Sequence, residues 1–206
     1  VASLYERILI DTSVAFKKAD VEFWLADGTA LSAYRDKQPV SWDMHDLDIN
    51  VKIEDWSEEK NKIIHDEMYS KNYKTEYLIN NPIPYLFQHR YDKDDVHIDI
   101  FTWHRVKDYY WRTTHQGCEI YLPYVLPAKY FDNLTTISYC GVTCKIPQDI
   151  ENYLTLIAGA DWKIPLKRAY NKDDKLIKKW KRNSRMVDWI NGNYDEARYL
   201  TERWFQ

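Results

Sequence analysis

The chain has 206 residues, 45% of them hydrophobic and 30% charged, with 29 basic against 32 acidic side chains and a net charge of −3. That composition excludes a disordered chain and provides no overall positive field to recruit nucleic acid. No apolar run approaches the roughly 20 residues of a membrane span, and the opening Val1-Ala2-Ser3-Leu4-Tyr5-Glu6-Arg7 is not a signal peptide. A cytoplasmic location is therefore the expectation, with a removed leader or anchor and peripheral membrane association both left open. The length suits a single domain over residues 1–206, with residues 172–206 as a helical C-terminal extension. Aromatic residues reach 16%, including 17 Tyr and 9 Trp, available either for stacking on bases and sugars or for core packing.

In chain order, apolar positions at Leu4, Ile8, Ile10, Val14 and Phe16 predict an amphipathic helix over residues 4–19. A short strand follows at 21–26, then a helix over 29–35 that starts at the Gly28-Thr29 turn. Alternation predicts a strand over 47–53, and Ser57 opens a helix to residue 69. Strand-like pieces come next at 77–79, 85–87, 96–103 and 108–114. A hairpin is expected over 137–146, a helix from Pro147 to about residue 158, and closing helices at 173–190 and 194–204. The fold class is α+β, a mixed or antiparallel sheet flanked by helices. Cys118, Cys140 and Cys144 match no zinc pattern. Cys140 and Cys144 are expected to face each other across the hairpin as structural thiols.

Three carboxylates carry the chemistry. Asp46 and Asp48 lie two residues apart, so on a strand both side chains share a face. At about 4 Å two such charges repel by roughly 4 kcal/mol at an effective dielectric near 20, so the pair must be protonated, solvated or bridged by a cation. Asp48 stands among Leu47, Ile49 and Val51, and Asp99 between Ile98 and Ile100. A solvated acidic turn is the alternative, but carboxylates set among strand-forming apolar residues have to be directed at something. Asp46, Asp48 and Asp99 together make a hard oxygen set for Mg²⁺ or Mn²⁺. Asp99 is either a metal ligand or the acceptor of an attacking hydroxyl's proton. The start of the helix after Gly28 and Thr29 suits a phosphate. Arg35 is a phosphate fork or the partner of a neighbouring Asp.

The stretch Phe23-Trp24-Leu25-Ala26-Asp27-Gly28-Thr29-Ala30-Leu31, then Tyr34-Arg35, Ser41-Trp42-Asp43 and Asp46-Leu47-Asp48-Ile49, resembles the LicD/fukutin family of the nucleotidyltransferase-like superfamily. His97-Ile98-Asp99-Ile100-Phe101 is similar to its third-carboxylate strand, and Ile146-Pro147, Tyr153-Leu154 and Gly159-Ala160-Asp161-Trp162-Lys163-Ile164-Pro165 to its C-terminal signature. The resemblance implies a mixed sheet flanked by helices and a transferase that moves a phosphorylated alcohol (ribitol phosphate, glycerol phosphate or phosphocholine) from a CDP-linked donor to a glycan, releasing CMP. It implies Asp46, Asp48 and Asp99 as metal carboxylates and Gly28, Thr29 and Arg35 at the donor phosphates. Trp162 is then a packing residue or a ligand contact. Two departures stand out: Met44 and His45 separate Asp43 from Asp46, and Ser32 stands where relatives often have Gly.

Two other readings stay open, a nucleotidyltransferase using a nucleoside triphosphate and a non-catalytic glycan- or nucleotide-binding module. Residues 80–91 and 108–124, rich in Tyr, His and Arg, are the expected pocket lining. The basic run from Lys175 to Arg185 is a solvated helix face or a contact for an anionic polymer or membrane surface, and no nucleic acid is assigned to it.

Overall fold

The computed structural model of the chain describes residues 3–40, 44–76, 88–112, 115–116, 119–120 and 124–165. Helix α1 (Leu4–Lys18) starts on a capping box in which the Ser3 hydroxyl accepts from the Glu6 N–H and the Glu6 carboxylate accepts from the Ser3 N–H. Strand β1 (Phe23–Leu25) follows, then α2 (Asp27–Leu31), which passes into a π-helical turn (Ser32–Asp36) ending at left-handed Lys37. Strand β2 (Asp46–Lys52) leads through a 3-10 turn (Ile53–Asp55) to α3 (Glu58–Ser70), capped by the Ser57 hydroxyl. Next come β3 (Lys74–Glu76), β4 (Gln88–Lys93), β5 (Val96–Val106), β6 (Tyr109–Arg112), β7 (His115–Gln116), β8 (Glu119–Ile120) and β9 (Tyr124–Pro127). A short α4 (Lys129–Asp132), the hairpin β10 (Leu134–Tyr139) and β11 (Val142–Pro147), and α5 (Ile150–Ala158) complete the described chain.

The main sheet runs β1-β2-β5-β4-β3, and β5 continues past it to pair with β6, which pairs with β9. β2 and β5 are parallel while the other pairs are antiparallel, so the sheet is mixed. One face takes Phe23, Leu47, Ile49, Val51, Ile98, Ile100 and Tyr91. Phe16 of α1 meets Phe23 there at 5.2 Å between ring centroids, and His65 of α3 meets Tyr91 at 6.0 Å. Leu47, Ile49, Val51 and Ile98 are completely buried, each contributing about 1.5–3 kcal/mol of transfer free energy. The two-residue period then forces Asp46, Asp48 and Asp99 onto the opposite face. There Phe131 of α4 packs on Trp24 and Trp103, and Tyr153 of α5 on Phe131.

Several elements differ from expectation. The helix expected at 29–35 begins two residues sooner and gives way to the π-helical turn at Ser32. Strands β3 and β4 were not anticipated, because Gln88, Arg90 and Asp92 face the acidic side of the sheet and disguise the strand as a polar segment. Cys140 and Cys144 do not oppose each other across the hairpin. Cys140 forms the two-residue turn with Gly141, both at positive φ, while Cys144 pairs with Ile137. The expected strands at 77–79 and 85–87 and the closing helices lie outside the described residues, as do Cys118 and Asp43. No described helix is long and apolar enough to cross a membrane.

Candidate active site

Strand register builds the site. In the parallel β2–β5 ladder Asp48 lies beside Asp99 and Asp46 beside His97, so three carboxylates converge from two adjacent strands. One oxygen from each of Asp46, Asp48 and Asp99 lies within 4.8 Å of the others. Asp48 is only 9% exposed. Asp46 keeps one buried oxygen, Oδ1, with no hydrogen-bond partner among the described residues. Burying a carboxylate oxygen without a partner is costly, and three hard oxygen donors at this spacing fit Mg²⁺ or Mn²⁺.

The acid–base properties reflect the crowding. Burial, then the charge of Asp99, pushes the Asp46 carboxyl up to about 6, against the pull of His97 and Arg90. Asp99 is also raised, by burial, while Arg90, a hydrogen bond from Gln88 and His97 counteract it. The Gln88 amide donates to Asp99 Oδ1 at 3.3 Å. Across the antiparallel β4–β5 pair Arg90 stands opposite Asp99, and its Nε donates to Asp92 Oδ1 at 3.0 Å. Asp92 Oδ1 also bonds His97 Nδ1.

The other expected site residues divide. Gly28 and Thr29 lie in α2, which joins β2 through its start: the Ala26 N–H donates to the Asp48 carbonyl at 3.0 Å, and the Asp48 N–H donates to Thr29 Oγ1 at 2.9 Å. Thr29 is fully buried, so its hydroxyl ties the turn to β2, the strand that carries Asp46 and Asp48. Arg35 forms the ion pair with a neighbouring Asp: its Nη2 meets Asp36 Oδ2 at 2.8 Å and its Nη1 donates to the Trp162 carbonyl at 2.8 Å. Trp162 itself is buried, packs on Tyr34 and donates through Nε1 to Thr155, a packing role. His45 turns to the β4–β5 turn, its Nδ1 lying 3.1 Å from the Asp95 carbonyl oxygen. Ser32, one of the two departures from the family pattern, lies 2.9 Å from the Tyr139 hydroxyl.

Sequence reasoning passed over Asp27 and Arg112. Asp27 begins α2 with a φ of 38°, a left-handed conformation that a non-glycine residue holds only when its surroundings impose it. Arg112 holds the side chain of Asp27 through an ion pair to its Oδ2. The Arg112 guanidinium is 3% exposed and lies 3.8 Å from the centre of the Phe101 ring. The Phe-Trp-Leu-Ala-Asp-Gly-Thr stretch contained the Asp27 signal, whereas Arg112 carried none, since its partner lies 85 residues away in sequence. Of the two segments expected to line the pocket, Gln88 and Arg90 face the site from the first and Arg112 buttresses it from the second. The remainder is largely undescribed.

The chain spans about 31% of the length of the curated relatives it matches, the ribitol-5-phosphate transferases FKTN of Macaca fascicularis and Homo sapiens, each 26% identical over 151 residues, or 73% of this chain. A solution structure of the antibiotic-resistance factor ANT(2'')-Ia shares the fold, with a TM-score of 0.51 at 11% identity over 98% of this chain and 97% of that one. The family model described as LicD/FKTN/FKRP, nucleotidyltransferase domain, matches residues 20–149, a span that holds all three aspartates. With that match over more than half of its length, on a mixed sheet that gathers those carboxylates, the chain belongs to the LicD/FKTN/FKRP nucleotidyltransferase-domain family.

Proposed function

We propose that the protein is a metal-dependent phosphotransferase that moves a phosphorylated alcohol from a CDP-linked donor to a glycan hydroxyl and releases CMP. The observation that carries this reading is the convergence of Asp46, Asp48 and Asp99 on one sheet face, in a family whose matched relatives are named ribitol-5-phosphate transferases. Asp46, Asp48 and Asp99 would hold Mg²⁺ or Mn²⁺. Bound there, the ion neutralises charge that grows on the phosphoryl oxygens during transfer. The acceptor hydroxyl oxygen bonds to the phosphorus of the alcohol phosphate, the bond from that phosphorus to the CMP oxygen breaks, and the hydroxyl proton leaves to a carboxylate on the same face. Gly28 and the backbone of its turn contact the donor phosphates. Thr29 anchors that turn to β2, and Arg35 ties the π-helical turn that follows α2 to the Trp162 segment.

The test is CMP release from CDP-ribitol, CDP-glycerol and CDP-choline with glycan acceptors and Mg²⁺ or Mn²⁺. Asp48→Asn should lower turnover by about 10²–10³, and a variant as active as the wild type would sink the site assignment. A second reading, nucleotidyl transfer from a nucleoside triphosphate, draws on the nucleotidyltransferase description of the matched domain, and pyrophosphate in place of CMP would favour it. For the binding-module reading, the tryptophans among the described residues, Trp24, Trp56, Trp103, Trp111 and Trp162, are buried, whereas Tyr69 and Tyr109 are exposed.

A further inference from the structure

The arginines near the site differ in what holds them. Arg35 is engaged by Asp36 and the Trp162 carbonyl, and Arg112 is buried against Asp27 and Phe101. Arg90 is held differently. It stands directly across the β4–β5 ladder from Asp99, on the face that carries the triad. Its Nε donates to Asp92 Oδ1, which also bonds His97 Nδ1, so the root of the guanidinium is fixed. Among the described residues neither terminal amino group of Arg90 has a hydrogen-bond partner, and the side chain is 23% exposed. Directly opposed residues in antiparallel strands have Cβ atoms about 5 Å apart, so the Arg90 and Asp99 side chains leave the sheet side by side on the face that carries the triad.

We propose that Arg90 is the phosphate-binding arginine of the site, with Asp92 and His97 as the positioning residues that aim it. The inference rests on the donor assignment above and adds the group that recognises the donor's diphosphate. A guanidinium held through Nε presents its two remaining amino groups as a fork, which matches two non-bridging oxygens of one phosphate. Arg35, the basic residue the sequence pointed to, is held by Asp36 and the Trp162 carbonyl.

Calorimetry on the whole chain tests this, with Mn²⁺ alone, CDP with saturating Mn²⁺, and cytidine as the phosphate-free control. Arg90→Gln should weaken CDP binding about tenfold to a hundredfold, leave cytidine binding unchanged, and keep or improve affinity for Mn²⁺ alone, since a nearby cation has been removed. Arg90→Lys, which keeps the charge and loses the fork, should fall between. Thermal unfolding of both variants checks that the fold is intact. CDP binding to Arg90→Gln within about twofold of wild type overturns the arginine's role and leaves the donor assignment standing. A parallel loss of Mn²⁺ affinity also overturns it, by reducing Arg90 to a structural part of the metal site. If CDP fails to bind even the wild-type protein with Mn²⁺ present, both the donor assignment and this inference fall.

Discussion

Asp46→Asn offers a quantitative test of the crowded triad in the absence of metal. Burial and Asp99 raise the Asp46 carboxyl from 3.8 to about 6. A carboxyl raised on folding is harder to ionise in the native state, so the native protein binds more protons than the unfolded chain between those values and loses stability as pH climbs through them. Below the unfolded value the penalty vanishes, and above the folded value it is complete. At 1.36 kcal/mol per pH unit the full penalty is about 3 kcal/mol, and about 1 kcal/mol is already present near pH 4.5. Replacing the acid by its neutral, similarly shaped amide removes the penalty. In EDTA, urea unfolding should therefore find Asp46→Asn more stable than wild type by about 3 kcal/mol near pH 8 and by about 1 kcal/mol near pH 4.5. Saturating Mn²⁺ should then stabilise the wild type and narrow or reverse the gap at high pH, because it binds the native carboxylates. A variant destabilised equally at both pH values would refute the reasoning, by showing that Asp46 is satisfied as an ion in the metal-free protein.

Two further outcomes test the supports of the site. Thr29→Val keeps the shape but deprives the buried Asp48 N–H of its acceptor; it should cost about 1–3 kcal/mol in urea unfolding, and an unchanged midpoint would show that Thr29 does not anchor α2. Arg112→Gln removes a guanidinium that is 3% exposed and leaves Asp27 unpaired. The expected loss is about 2–4 kcal/mol, below the full cost of a wholly buried pair because the Asp27 side chain retains 30% exposure. A loss under about 0.5 kcal/mol would mean that solvent already screens the pair.

The amino-acid sequence by itself determined the elements whose pattern is local. The apolar spacing of Leu4, Ile8 and Phe16 marked α1, Ser57 marked the start of α3, and the alternation of Leu47, Ile49 and Val51 marked β2 and put Asp46 and Asp48 together on one face. Asp99 was legible for the same reason, as a charge between two buried isoleucines. These readings succeed because a two-residue period and a capping side chain depend on neighbours a few positions away. Only the tertiary structure decided which residues meet across strands. The parallel register places Asp48 beside Asp99, the antiparallel one brings Arg90 to the triad, and Asp27 finds Arg112 from another part of the chain. It also divided the basic residues, turning Arg35 toward Asp36 and Trp162 while setting Arg90 across the ladder from Asp99. Register is set by the burial of whole faces and by turn geometry, which a short motif cannot encode, so the three carboxylates could be read in the sequence but their neighbours could not.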